Sequence, residues 1–391
     1  MTDSTLDSSG PGTRAVHGGR DRHYWKQSLT PPLSQSSTFR FDTVDQLLAQ
    51  RRGELDFPEY ARYGNPTIDV AQQRLAAVCG AEASLLTASG MAAQALCVLA
   101  LCGQGARVVL TPDHYRGTSV MLGQLAPRYG IEVVVARSER AEDVAEAVGS
   151  ERCALIFTEF PTNPHLRAPD LRALAQIARD ARGLLLVDAT LSSPLLSRPL
   201  EHGADLVVYS ATKYLSGHND VLAGAIAGPA SLIAPLNELL GALGCNCAPL
   251  EAWLVERGLR TLDLRFRRQS ATAAELAQRL SAHPGVAEIW YPEPAPERGL
   301  PAEGRGGVVS FRPHGGSDVA RRILDALRLF AHSASFGGCE SMAQIPALLV
   351  GDPDDPGSVP GLEADLIRLS VGLEDVDDLW TDLEQALECS T

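Results

Sequence analysis

From about Asn65 to Ala225, short apolar runs alternate with helical stretches, and this alternation constrains the fold more than any other property of the chain. The apolar runs are Ser84–Thr87, Arg107–Leu110, Glu132–Val135, Ala154–Thr158, Leu184–Val187 and Leu206–Tyr209. Helical patterns fill Asp69–Val78, Ala92–Leu101, Thr118–Tyr129, Ala141–Ala147, Asp170–Arg179 and Pro199–His202. Parallel neighbouring strands need a crossover, usually a helix, so the alternation predicts an α/β fold with a mostly parallel central sheet covered on both faces. Ligands in such sheets gather beyond the carboxyl ends of the strands. The runs near Thr87, Thr158, Val187 and Tyr209 all lead into polar segments: Ser89-Gly90-Met91, Glu159-Phe160-Pro161-Thr162-Asn163-Pro164, Asp188-Ala189-Thr190 and Ser210-Ala211-Thr212-Lys213. One shared site is the economical reading.

Past about Glu256 the pattern changes to a long helical stretch, Glu256–Leu280, followed by Val286–Trp290, Gly307–Phe311, the helix Asp318–Leu327, Leu366–Ser370 and a last helix Asp377–Leu387. This reads as a smaller α/β domain. The expected division is an N-terminal arm over 1–60, with 1–12 disordered, a large domain over 61–255 and a small one over 256–391. The loops Pro292–Gly306 and Asp352–Gly361 stand out by composition. A chain of 391 residues with 45% hydrophobic content can fill two cores. Its formal charge of −14, with no Lys/Arg block, argues against a nucleic-acid partner. The eight cysteines are scattered without a CxxC pair, which fits a reducing cytoplasm and no metal. The polar N-terminus lacks the pattern of a secretory signal. Residues 83–106 carry no charge and approach membrane-spanning length, but their glycines and polar residues read as a strand, a turn and a buried helix. No membrane association is expected.

Lys213 carries the chemistry. It follows the apolar run Asp205–Tyr209, has Ser210 and Thr212 within three positions, and precedes a small-residue stretch. An amine able to form a Schiff base, with hydroxyls to hold a phosphate, is what pyridoxal phosphate requires. Asp188 ends a strand so apolar that its carboxylate needs a partner, either a pyridinium nitrogen or a helix N-terminus that it caps. Ser89, Gly90 and Met91 form a strand-to-helix turn that offers backbone N–H groups to a phosphate, or a plain connection. Tyr115 stacks on a flat ring or covers the core. Asn163 reaches a cofactor oxygen or makes a Pro-bounded turn. Arg368, inside an apolar strand, needs an anion: a substrate carboxylate or a structural Asp or Glu.

These segments together resemble the Cys/Met-metabolism family of pyridoxal phosphate enzymes. The likeness starts near Thr30 and runs through Tyr60-Ala61-Arg62-Tyr63-Gly64-Asn65-Pro66-Thr67, Ala88-Ser89-Gly90-Met91, Pro161-Thr162-Asn163-Pro164 and Ser210-Ala211-Thr212-Lys213. It continues to Ser335-Phe336-Gly337-Gly338-Cys339-Glu340-Ser341 and Arg368-Leu369-Ser370-Val371-Gly372. It implies the type I, aspartate-aminotransferase-like fold of PLP-dependent transferases. It also implies roles: Lys213 binds the cofactor covalently and shuttles protons, Asp188 pairs with the ring nitrogen and Tyr115 stacks on the ring. Ser89, Gly90, Met91, Ser210 and Thr212 hold the phosphate. Asn163, Ser335 and Arg368 hold the substrate carboxylate. Tyr60 and Arg62 reach the site of the neighbouring subunit from the N-terminal side, so a homodimer is the smallest active unit and a homotetramer the usual assembly.

Within the family the chain is similar to plant-type cystathionine γ-synthase. Arg116 beside Tyr115 suits an anionic leaving group, and Gly117 stands where methionine γ-lyases carry cysteine. Three positions depart from the pattern: Ala334, where many members carry glutamate; Ala189, where Asn is common; and the short Pro292–Gly306 segment. The favoured expectation is γ-replacement on an activated homoserine (O-phospho, O-acetyl or O-succinyl) by a thiol or other nucleophile. The alternatives are a γ- or β-eliminating lyase and a non-catalytic pyridoxal-phosphate-binding regulator. A substrate clamp at Arg368 speaks against the last, and the lack of G-x-G-x-x-G after Thr87 speaks against a nicotinamide dehydrogenase.

Overall fold

The computed structural model describes residues 9–19, 27–55, 58–298, 300–301, 305–350 and 361–390. The expected disorder of residues 1–8 and most of the loop Asp352–Gly361 lie outside the described residues, as do 299 and 302–304 in the loop Pro292–Gly306. Pro11, expected in the disordered segment, instead opens the helix Pro11–His17, where its missing N–H costs nothing in the first turn.

A seven-stranded sheet forms the larger layer. In chain order its strands are β1 (Ala83–Thr87), β2 (Arg107–Leu110), β3 (Glu132–Val135), β4 (Leu155–Glu159), β5 (Leu184–Asp188), β6 (Leu206–Ser210) and β7 (Gly224–Gly228). Their spatial order is β1-β7-β6-β5-β4-β2-β3, and only β7 runs antiparallel to its neighbours. β4 and β5 are buried along nearly their whole length, which explains their continuous apolar character. The helices between strands are the expected ones, with local start and stop signals. Asn65 caps Pro66–Cys79 by accepting from the Thr67 N–H, and Gly80 ends that helix in the left-handed region. The uncharged segment 83–106 is β1, a turn and the helix Gly90–Leu101. No helix among the described residues is long and apolar enough to cross a membrane.

β7 was not anticipated. Its sequence, Gly-Ala-Ile-Ala-Gly, is small because space is short: a Cβ on Gly224 would collide with the Ser89 carbonyl oxygen and the Thr87 hydroxyl. A five-stranded sheet forms the second layer, with β8 (Val286–Trp290), β9 (Val308–Pro313), β10 (Ala331–His332), β11 (Met342–Gln344) and β12 (Ile367–Ser370) in the order β10-β11-β12-β9-β8. The expected single helix Glu256–Leu280 is two, Pro249–Arg260 and Leu262–Ala282, meeting at Thr261. Along the second of these, Leu262 and Phe266 pack into the core of the large sheet, while Ala273, Leu276 and Leu280 pack into the core of the small one. The hand-over between cores thus lies midway along this helix, beyond residue 256.

Candidate functional site

The carboxyl ends of β1, β4, β5 and β6 meet at one cavity, which the five-stranded sheet closes from the side. Ser89, Gly90, Met91, Tyr115, Asn163, Asp188, Ser210, Thr212, Lys213 and Arg368 all line it. Ser335 lies against it through a hydrogen bond of 2.6 Å from Lys213 Nζ to its Oγ. The parallel topology accounts for the convergence, since Glu159, Asp188 and Ser210 are the last residues of β4, β5 and β6.

Burial tunes the charged groups. Lys213 has its amine pulled down to about 8 by desolvation first and by the Arg368 charge second. The amine is therefore neutral in an appreciable fraction near neutral pH, as a nucleophile must be. Asp188 is 7% exposed. Desolvation raises its carboxyl above the ordinary range, opposed by hydrogen bonds from Thr190 and Gln94. The Thr190 N–H donates to Oδ1 at 2.9 Å and the Thr190 hydroxyl donates to the same oxygen at 2.5 Å; Gln94 Nε2 donates to Oδ2 at 2.8 Å. The helix Ser193–Leu196 that follows has Ser192 at its N-cap position, so Asp188 is not a helix cap. Arg368 is lowered to about 10, chiefly by burial, with Glu159 opposing the shift. Its Nη1 donates to Asn163 Oδ1 at 2.7 Å, and its Nε donates to Gln344 Oε1 at 3.0 Å in the amide orientation that satisfies both residues. Both partners are neutral amides, so no bonded acid neutralises the guanidinium, an arrangement that suits a carboxylate ligand.

Ser89 caps the helix Gly90–Leu101, its Oγ accepting from the Ala92 N–H. Gly90 packs so closely on Ser210 that a Cβ there would sit 3.0 Å from the Ser210 Cα and Cβ. A helix N-terminus, a glycine at close approach and a serine hydroxyl suit a phosphate. Thr212 also lines the cavity, but its hydroxyl donates to the Ala223 carbonyl at 3.2 Å and accepts the Ala223 N–H at 3.0 Å, so it also ties the lysine loop to the start of β7. Tyr115 is half exposed and is no part of the core. Its ring lies over Gly117, where any side chain would displace it.

Three expected residues stand apart from the cavity of their own chain. Arg116 is exposed at the first position of the helix Arg116–Tyr129. Tyr60 is exposed and bridges Thr38, and Arg62 donates to the Gly241 carbonyl at 2.8 Å with its guanidinium 4.6 Å from the Tyr63 ring. Several contributors had gone unnoticed. Gln94 joins Asp188 to Thr118, whose hydroxyl donates to Gln94 Oε1 at 2.8 Å. Thr190 fixes Asp188. Glu159, buried and raised well above the carboxylate range by desolvation and by Asp188, accepts the Tyr115 N–H at 2.6 Å. Phe336 places its ring 5.1 Å from Lys213 Nζ and 5.3 Å from the Arg368 guanidinium carbon. Glu159 and Thr190 were signalled by their strand-end positions; Gln94 and Phe336 carried no local signal.

These residues fit pyridoxal phosphate. A buried carboxylate held by neutral donors, a depressed lysine amine and a glycine closed onto a serine at a helix start are the features it needs. The family model described as "Cys/Met metabolism PLP-dependent enzyme" matches residues 12–388. Cystathionine gamma-synthase 1, chloroplastic, of Nicotiana tabacum is 37% identical over 96% of this chain and 72% of that protein. L-methionine gamma-lyase of Pseudomonas putida is 38% identical over 97% of both chains. Among solved structures, metB from Corynebacterium glutamicum superposes with a TM-score of 0.91 at 31% identity, covering 99% of this chain and 100% of that one. CalE6, a methionine gamma lyase from Micromonospora echinospora, gives 0.85 at 36% identity, covering 97% and 99%. The chain belongs to the Cys/Met metabolism family of pyridoxal-phosphate-dependent enzymes.

Proposed function

We propose that the protein catalyses γ-replacement on an activated homoserine, joining a thiol or a related nucleophile to Cγ. The observation that carries the reading is the cavity in which Lys213, Asp188, Tyr115 and Arg368 converge. When bound, pyridoxal phosphate supplies an electron-accepting ring that stabilises negative charge next to the amino-acid nitrogen. Asp188 would pair with the ring nitrogen and keep it protonated, with Gln94 and Thr190 fixing the carboxylate. Tyr115 would cover one face of the ring. Ser89, Gly90, Met91 and Ser210 would hold the phosphate, and Thr212 would assist while holding Ala223. Arg368 binds the substrate α-carboxylate, oriented by Asn163 and Gln344. The Lys213 amine moves protons at Cα and Cβ, and its hydrogen bond to Ser335 aims it along that path. Loss of the γ-substituent then leaves Cγ open to a nucleophile.

Preference for replacement over elimination rests on Gly117 beneath the Tyr115 ring, where methionine γ-lyases carry cysteine. The lyases among the relatives support a second reading, γ-elimination to a 2-oxo acid and ammonia, which uses the same residues. A homodimer is the smallest active unit in this proposal, because Tyr60 and Arg62 lie away from their own cavity and suit a neighbour's. A homotetramer follows the family habit. Arg116, outside the cavity lining but next to Tyr115 in sequence, would meet an anionic leaving group that extends past that tyrosine. All eight cysteines are free thiols, which supports a reducing compartment such as the cytoplasm.

The test is a panel of O-phospho-, O-acetyl- and O-succinyl-homoserine, each with and without cysteine, with products identified by mass. Cystathionine formation is expected. Release of 2-oxo acid with no thiol incorporated under any condition overturns replacement in favour of elimination.

A further inference from the structure

Three site residues, Tyr115, Asn163 and Arg368, arrive on three separate segments, and one buried histidine touches all three segments. His165 lies two residues after Asn163 and is 5% exposed. Its Nδ1 is 2.9 Å from Asp113 Oδ1, and Asp113 precedes Tyr115 by two residues. Its Nε2 is 2.8 Å from Glu363 Oε2, on the segment that leads into β12 and Arg368. The Trp290 ring, at the end of β8, packs edge-on against it at 5.2 Å between centroids. The Thr162 hydroxyl completes the cluster by donating to Asp113 Oδ2. A histidine with a carboxylate on each ring nitrogen is a donor on both sides only when it carries both protons.

We propose that His165 is a positioning residue that, doubly protonated, ties the Tyr115 loop to the approach to Arg368 and so sets the carboxylate clamp against the cofactor face. The proposal rests on the functional reading above, since it assigns Arg368 to substrate and Tyr115 to cofactor. His165 touches neither ligand. It acts through Asp113, two residues from Tyr115, and through Glu363, five residues from Arg368.

Burial alone would lower the basicity of the imidazole. The hydrogen bonds and charges of Asp113 and Glu363 outweigh burial, and His165 is raised above its ordinary value of 6.5. Among the described residues, Asp113 and Glu363 are the charged groups acting on it, and Arg312 on β9 in turn acts on Glu363. A raised histidine holds its proton below its folded-state value and loses it as pH rises past that point. The tie is therefore present in mildly acidic and neutral solution. It weakens on the alkaline side, where one of the two carboxylates loses its donor.

The test measures kcat and KM for the amino-acid substrate between pH 6 and 9 on the holoenzyme, together with its near-visible cofactor absorbance. His165→Phe keeps a flat ring against Trp290 and removes both donors. It is expected to raise KM roughly tenfold, a change of about 1.4 kcal/mol in binding, with kcat within about threefold and the cofactor band intact. The wild-type rise of KM through the His165 ionisation should be absent in this variant. Glu363→Gln, at a part-exposed site, removes one negative charge from the imidazole. The inflection should then move to lower pH. An unmoved inflection in Glu363→Gln overturns the proposal even if His165→Phe does not fold. So does a His165→Phe enzyme with wild-type KM and pH profile, or one whose only change is a lower melting temperature. Failure of the functional reading looks different: wild-type enzyme would bind no cofactor or turn over none of the homoserine esters.

Discussion

The seven-stranded sheet delivers Glu159, Asp188 and Ser210 to the cavity from the last residues of β4, β5 and β6, whereas the five-stranded sheet delivers Arg368 from inside β12. In the first case topology does the placing. Parallel strands of similar register end on one line, and whatever polar residue follows each apolar run meets its neighbours there. In the second, cross-strand packing does it. Arg368 pairs with Ser310 on one side and Gln344 on the other, and Gln344 supplies an acceptor for its Nε. The cofactor half is braced both by Thr190 beside Asp188 and by Gln94 from the helix Gly90–Leu101. The substrate half is braced by partners distant in sequence, such as Asn163 and Gln344. The three departures from the family pattern fall unevenly: Ala334 and the short Pro292–Gly306 segment lie with the second sheet, and only Ala189 lies with the first. The half placed by strand ends suits the cofactor chemistry, and the half placed by cross-strand packing is where substrate choice can be altered.

The largest effect that would break this division comes from Lys213. Lys213→Ala should abolish the near-visible absorbance and cut kcat by about 10⁴-fold, because it removes both the covalent anchor and the proton carrier. Turnover that survives with a normal product would reassign the proton shuttle. Asp188→Asn comes next. It keeps the shape and the Thr190 and Gln94 neighbourhood but removes the charge, and kcat should fall by about 10²-fold with KM changed little. Arg368→Lys is the corresponding test of the second sheet. Lysine keeps a charge but cannot bond Asn163, Gln344 and a bidentate carboxylate together, so KM should rise roughly 10- to 100-fold while cofactor binding stays normal. Equal losses of cofactor and substrate binding in Arg368→Lys would show that the two halves are one structural unit and would break the comparison.

The same contrast explains what was legible in the sequence. The α/β class, six strands of the large sheet and most of the cofactor-binding segments follow from periodicity and from polar residues at strand ends. β7 was missed because close approach at Gly224 forbids the branched residues that mark a strand. β10 and β11 were missed because two or three residues carry no period. Gln94 sits mid-helix, and only the tertiary fold brings it 2.8 Å from Asp188. Phe336 reads as any core aromatic until Lys213 and Arg368 are placed on its ring. Arg368 itself was flagged by the cost of its charge in an apolar strand, but the neutrality of its bonded partners, which supports the proposed substrate carboxylate, is visible only in the fold.

The smallest expected effect links the two sheets directly. In the cofactor-free protein the Lys213 amine titrates near 8, lowered by burial first and by the charge of Arg368 second. Only the neutral amine would be nucleophilic toward added pyridoxal phosphate, so the rate of cofactor uptake should rise about tenfold per pH unit below that value and level off above it. A lysine without these neighbours would keep gaining rate toward its ordinary value of 10.5. Arg368→Ala removes the positive charge that disfavours the protonated amine, so the levelling point should shift upward, while the larger contribution of burial keeps it below that of a free lysine. Stopped-flow absorbance of apoprotein mixed with pyridoxal phosphate from pH 6.5 to 9.5 reads both points. If the levelling point of Arg368→Ala coincides with wild type, the five-stranded sheet contributes nothing to lysine activation, and its part in the site is confined to the substrate.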